Sequence, residues 1–399
     1  GEMLVCVTLG FLCGRTTIRR SLKWCKTHLE ELRKHMNLKY GIASPSTITR
    51  MLNGIDEELA LYAFMEWIGE IVESRNTHLA IDGKALCGAT EKTKGETTPM
   101  LLNVVETVRG LILAQLPVDS KTNEITAIPE LLKLLDISGS IVTIDAVGTQ
   151  TAIMEQIHEQ GGHFVLTVKK NQPEAYEEIH TFMDKLGAED LKRKKGEAMD
   201  PGMKEFLEKY EEISQMEKNR DRNEYRTCQI CKDASNLTKS QKEWPHVQSI
   251  GRIKQVRIPK EKDSQGNDVT PSKEEFLEKG SRRIPAPSAG EGAGKDVQCT
   301  ALISDLILTA EELGSIKRMH WSIENRLHHV LDDTFREDRS PAKKSRNNLS
   351  LIRKYAYNIL RLAMYETGLA NIMTEMMDCF CDNAALRERY VFQGIASLY

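Results

Sequence analysis

The chain has 399 residues, of which 40% are hydrophobic and 28% charged, and a formal net charge of −3. That length allows two or three units of about 100 to 200 residues each, and the composition excludes a wholly disordered chain. Nine cysteines, an odd number at irregular spacings, exclude the disulfide framework of a small secreted domain and point to a reducing cytoplasm.

The charge is uneven along the chain. Arg15 to Arg50 holds nine Lys/Arg against two acids, and Lys317 to Lys354 holds ten against five. Each stretch is either a footprint for phosphate backbones or a solvated helix face. The apolar run Leu4 to Leu12 is shorter than the about 20 residues that a bilayer span needs, and no basic signal-peptide start precedes it, so no membrane partner is expected. Gly1 stands inside what reads as a helix, which points to a start upstream.

Residues 1–75 read as a helical domain, in which Leu61, Phe64, Met65, Ile68 and Ile71 recur at helical spacing. Within it, Gly41 to Arg50 reads as a loop and a helix start, with Ser44 as cap and Pro45 in the first turn. This is either an ordinary helix pair or a helix-turn-helix that carries Arg50 to DNA. From Thr77 the pattern changes to strands. Leu79 to Ile81 ends in Asp82-Gly83, and runs at Leu101 to Val105 and Arg109 to Leu116 complete an antiparallel meander. Ile141 to Ile144 is a β-branched run of the kind buried on both faces. A helix from about Thr149 to Gln160 and a strand from His163 to Val168 follow it, an order that implies a parallel crossover.

Residues 76–173 therefore form the first part of a core, and residues 174–298 read as an insertion. The insertion shows charged helical stretches, strand-like Tyr225 to Ile230 and His246 to Ile258, and a loop from Pro259 to Lys295 too polar to fold. Cys228 and Cys231 form a lone C-x-x-C without a second half at zinc spacing. Residues 299–365 supply the second part of the core: a strand at Cys299 to Ser304, one or two helices within Glu311 to Thr334, and a helix from about Asn347 to Tyr365. A helical tail fills 366–399. The class is α/β, a mixed sheet flanked by helices.

Asp82 and Asp145 each close a predicted strand, where neighbouring strand ends can bring carboxylates together. Taken alone, an aspartate there is also a common turn former or helix cap. In the segment His320 to Asp332, residues Ile323, Leu327, Val330 and Leu331 form a buried stripe. Glu324 lies at its edge, with His320 and His328 one turn to either side. The same pattern describes a surface glutamate on an amphipathic helix. Three converging carboxylates would suit two Mg²⁺ or Mn²⁺ ions about 4 Å apart, with Lys84, Lys170 or Arg326 offsetting phosphate charge.

The chain resembles the H-repeat-associated insertion-sequence DDE transposases over roughly residues 3 to 365. The resemblance is carried by Gly41 to Arg50, by Ala80-Ile81-Asp82-Gly83-Lys84, by Ile141 to Gly148, by Gly161 to Pro173, and by His320 to Asn325 continuing to Phe335-Arg336-Glu337-Asp338. It implies an RNase H-like fold and Asp82, Asp145 and Glu324 as catalytic, metal-binding triad. It further implies DNA partners, namely terminal inverted repeats and target DNA, a homo-oligomer on DNA, and a bacterial, nucleoid-associated setting. Lys84, Lys169, Lys170, His320, Arg326 and His328, with Arg50, are the candidate DNA-contacting set. Cys87 stands where the family usually has Arg, and His320 occupies the Arg position of the wider Tyr/Arg/Glu/Lys signature. The alternative is a decayed or domesticated copy that binds DNA without cutting it.

Overall fold

The computed structural model describes residues 1–85, 100–118, 121–218, 222–237, 244–259, 261–262, 268–269, 297–340 and 344–393. Cys87 and most of the loop from Pro259 to Lys295 lie outside the described residues. In chain order the elements are α1 (Glu2–Leu12), α2 (Ile18–Thr27), α3 (Leu29–Leu32), α4 (Pro45–Asn53), α5 (Glu57–Gly69), β1 (His78–Ala85), β2 (Met100–Glu106), β3 (Leu111–Val118), α6 (Lys121–Lys133), β4 (Ile141–Ile144), α7 (Thr151–Glu159), β5 (His163–Val168) and α8 (Pro173–Lys195). Then come α9 (Lys204–Glu208), β6 (Tyr210–Lys218), β7 (Arg222–Cys231), β8 (Ser249–Pro259), the two-residue pair β9 (Glu261–Lys262) and β10 (Asp268–Val269), β11 (Val297–Ser304), α10 (Ala310–Ile323), α11 (Arg346–Thr367) and α12 (Met373–Asp382).

The chain forms two compact units, Gly1–Ser140 with Met319–Tyr399, and Ile141–Arg318. In the first unit the expected helices are present. Ser44 caps α4 by accepting from the Thr47 backbone N–H, and Pro45 sits where no N–H is needed. Strands β1, β2 and β3 form the expected antiparallel meander, with Asp82 opposite Asn103 and Lys84 opposite Leu101. Every residue of β2 is buried, and α11 packs against α1, α5 and β3.

Asp82 does not end its strand, as the Asp-Gly pair suggested; β1 runs on through Lys84 to Ala85. Gly83 serves a close approach instead of a turn, since a Cβ there would lie 2.6 Å from Glu124 Oε1.

In the second unit β4 and β5 are parallel and joined by α7, the expected β-α-β arrangement. β11 then pairs antiparallel with β5, β8 with β11, β7 with β8, and β6 with β7. The described residues of 174–298 are thus more regular than their sequence suggests: the 23-residue α8 packs against β7, β8 and β11, and three long strands extend the sheet. The sequence reading missed β6 because Tyr210–Lys218 carries few apolar residues, which an edge strand tolerates.

Candidate active site

Two expected carboxylates come together in the first unit. Along β1 the side chains of Asp82 and Lys84 share a face, because strand side chains alternate. Glu324 follows the last residue of α10, and from there the backbone widens into π-helical turns over Glu324–His328 and Val330–Thr334. Leu327 and Leu331 stay buried, while Glu324, Asn325 and Arg326 are exposed.

The result is a cluster of Asp82, Glu324 and His328 whose ligand atoms all lie within 4.8 Å of one another. His328 Nδ1 is 3.7 Å from Asp82 Oδ2 and 3.8 Å from Glu324 Oε2. His328 is buried, its Nε2 makes no hydrogen bond among the described residues, and burial beside the Lys84 and Lys354 ammoniums pushes its pKa down to about 4. The imidazole is therefore neutral at physiological pH and keeps a lone pair on one nitrogen. Glu324 is the exposed partner, with 64% of its side chain open to solvent.

Behind this cluster lies a buried ionic network. Lys84, only 4% exposed, places Nζ 2.5 Å from Asp332, 3.2 Å from Glu337 and 3.6 Å from Asp338. Burial works against the Lys84 charge, but Glu337, Asp332 and Asp338 outweigh it and hold the ammonium above its ordinary pKa. Burial likewise disfavours the Glu337 carboxylate, yet Lys84, Lys354 and Arg353 hold its pKa below the ordinary value. Lys354 donates to Asn103 and Gln115, side chains of β2 and β3. These contacts tie β1 and its neighbours to the segment that follows Glu324.

Asp145 belongs to the second unit, directly after β4. Burial pushes its carboxyl up, but the Lys169 ammonium, 2.6 Å away, and Lys317 keep it below its ordinary pKa. Thr149 and Asn171 fasten the surrounding turn by bonding Thr167 O and Ala146 O.

The family pattern described as "Transposase DDE domain" matches residues 73–359, and the pattern described as "DDE_Tnp_1-associated" matches residues 1–68. The chain belongs to the DDE transposase family. It is similar to the "H repeat-associated putative transposase YhhI" of Escherichia coli K12, at 28% identity over 340 residues, covering 84% of this chain and 78% of that protein. It is also similar to the "Putative transposase YncI" of the same strain, at 34% identity over 171 residues, 43% of this chain and 68% of that protein. The chain is thus a DNA transposase, and the RNase H-like α/β class expected of it stands.

Of the transposase's candidate DNA contacts, Arg50, Lys169, Lys170 and Arg326 are exposed. Lys84, His320 and His328 are buried, at 4%, 6% and 8% exposure. For Lys84 the reason is the three carboxylates described above; for His328 it is the inward turn of the π-helical segment. Sequence reasoning counted Lys354 only as the end of a basic stretch and missed Asn103 and Gln115 altogether. A lysine amid the apolar positions of α11 was the available signal. No helix among the described residues is long and apolar enough to cross a membrane.

Proposed function

We propose that this transposase cuts the ends of an insertion sequence and joins the freed 3′-hydroxyl to target DNA, with Asp82, Asp145 and Glu324 as its metal-holding triad. The observation that carries the reading is the convergence of Asp82 and Glu324, 242 positions apart (324 − 82), on one cluster with His328. Carboxylate oxygens are the donors that hard divalent cations prefer, so the residues fit the ions that the family implies. Asp145 enters through the family resemblance, as the aspartate of the Ile141 to Gly148 stretch, and Lys169 keeps it ionised.

When bound, two Mg²⁺ or Mn²⁺ ions would supply Lewis acidity for the attacking oxygen and charge relief for the leaving one. The chain's own residues hold and orient. Asp82 is fixed by the ladder of β1, Glu324 faces the substrate from the π-helical turn, and exposed Arg50, Lys169, Lys170 and Arg326 meet phosphates. The partners proposed are the element's terminal inverted repeats and target DNA, engaged by a homo-oligomer in the bacterial cytoplasm.

The test is a strand-transfer assay with labelled element ends and Mg²⁺ or Mn²⁺. Asp82→Asn should lose transfer by at least about 10²-fold while still binding ends. Full transfer by that variant would remove the triad assignment. Cleavage without any joined product in the unaltered protein would make it a nuclease instead.

A further inference from the structure

His328 has no part in the proposed chemistry, yet it lies beside both Asp82 and Glu324. Its side chain is nine-tenths buried, and Nδ1 faces Asp82 and Glu324. Ligand atoms bound to one ion at about 2.1 Å are about 3.0 Å apart when adjacent and about 4.2 Å apart when opposite. The observed separations of 3.7 and 3.8 Å exceed the adjacent spacing by less than about 1 Å, a gap that a small rotation of the exposed Glu324 and of the ring would close. At those distances Nδ1 is too far to hydrogen-bond either carboxylate, so the arrangement is not an ordinary histidine–carboxylate pair.

Resting on the metal-holding role of Asp82 and Glu324, we propose that His328 is a further protein ligand of that site, giving one metal ion a nitrogen donor through Nδ1. The consequence is selectivity. Mg²⁺ favours oxygen and water, whereas Mn²⁺ and later divalent ions accept imidazole more readily. The imidazole therefore biases this position toward Mn²⁺ over Mg²⁺. Its depth fixes the ring before any ion arrives, while the exposed Glu324 completes the coordination from the solvent side.

The experiment is pulsed electron paramagnetic resonance of Mn²⁺ added to the full-length chain, with binding isotherms for Mn²⁺ and Mg²⁺ alongside. The Mn²⁺ signal should show coupling to a histidine nitrogen that shifts on ¹⁵N-histidine labelling. His328→Gln should lose that coupling while still binding Mn²⁺, and its Mn²⁺-over-Mg²⁺ affinity ratio should fall about tenfold. Asp82→Asn should bind neither ion at this site.

A nitrogen-free Mn²⁺ signal in the unaltered chain, with binding that depends on Asp82, overturns the role of His328 and leaves the carboxylate site standing. So does a coupling that survives in His328→Gln. Mn²⁺ binding that ignores Asp82→Asn overturns both. Should His328→Gln fold poorly, the ¹⁵N-labelled unaltered chain together with His329→Gln and His320→Gln identifies the donor by elimination: loss of coupling in either of those variants overturns the assignment.

Discussion

Lys84 shows how far a residue's role depends on its direction. A lysine two positions after Asp82, the proposed metal-holding aspartate, reads naturally as a phosphate contact, yet its ammonium is surrounded by Asp332, Glu337 and Asp338. The direction itself was legible, since period-two alternation puts Lys84 on the Asp82 face of β1. The partners were not, because they lie 248 or more positions downstream, beyond any spacing argument. Asp82 and Asp145 were legible as carboxylates that follow apolar runs, whereas Glu324 needed the family resemblance. Removing the lysine alone leaves buried carboxylates uncompensated, a change that costs about 3 to 5 kcal/mol. Lys84→Met should therefore lower the urea midpoint strongly, and end binding by the folded fraction should keep its salt dependence. A stable variant whose salt slope drops by about one would instead return Lys84 to the phosphate contacts.

Elements were easier to read where burial is regular and harder where it is not. β4 and β5 match the sequence reading residue for residue, because a strand covered on both faces must be a continuous apolar run. The helix around Glu324 was read with the ordinary 3.6 period, and no pattern in His320 to Asp332 announces the π-helical turns, in which Leu327 and Leu331 are buried. Helix crossings are similarly silent in sequence. At the contact of α1 with α2, a Cβ on Gly10 would lie 2.1 Å from Ser21 Cβ and 2.5 Å from Ser21 Cα. In an open helix, glycine to alanine gains about 1 kcal/mol. Here the backbone of α2 would have to move, and overpacking of that kind costs about 1 to 3 kcal/mol or more. Gly10→Ala should therefore destabilise the protein in urea titrations. A neutral or stabilising result would mean that the two helices separate freely.

At the scale of the whole molecule, the chain divides at Ser140/Ile141 and Arg318/Met319, with the second unit running as one unbroken segment between the two stretches of the first. Hydrophobic periodicity marks elements and says little about which of them share a core, so this division could not be read in advance. Nor could net charge reveal where charge is buried. The chain's −3 conceals Lys354, which is fully buried in the first unit. Burial, only partly offset by Glu337, pushes its pKa from 10.5 down to about 7. Between those two values the unfolded chain keeps a proton that the folded chain has lost. Folding then releases that proton, so this group's contribution makes stability rise with pH through the window and leaves its burial cost in full below about pH 7. One pKa unit corresponds to about 1.4 kcal/mol, which gives a gain of about 2 to 3 kcal/mol between pH 7 and pH 9. Urea unfolding across that range should show the rise in the unaltered chain and a flatter profile in Lys354→Met, whatever that variant's stability at pH 7. Parallel profiles would mean that Lys354 keeps its proton throughout, held by Asn103, Gln115 and Glu337 more firmly than its burial opposes.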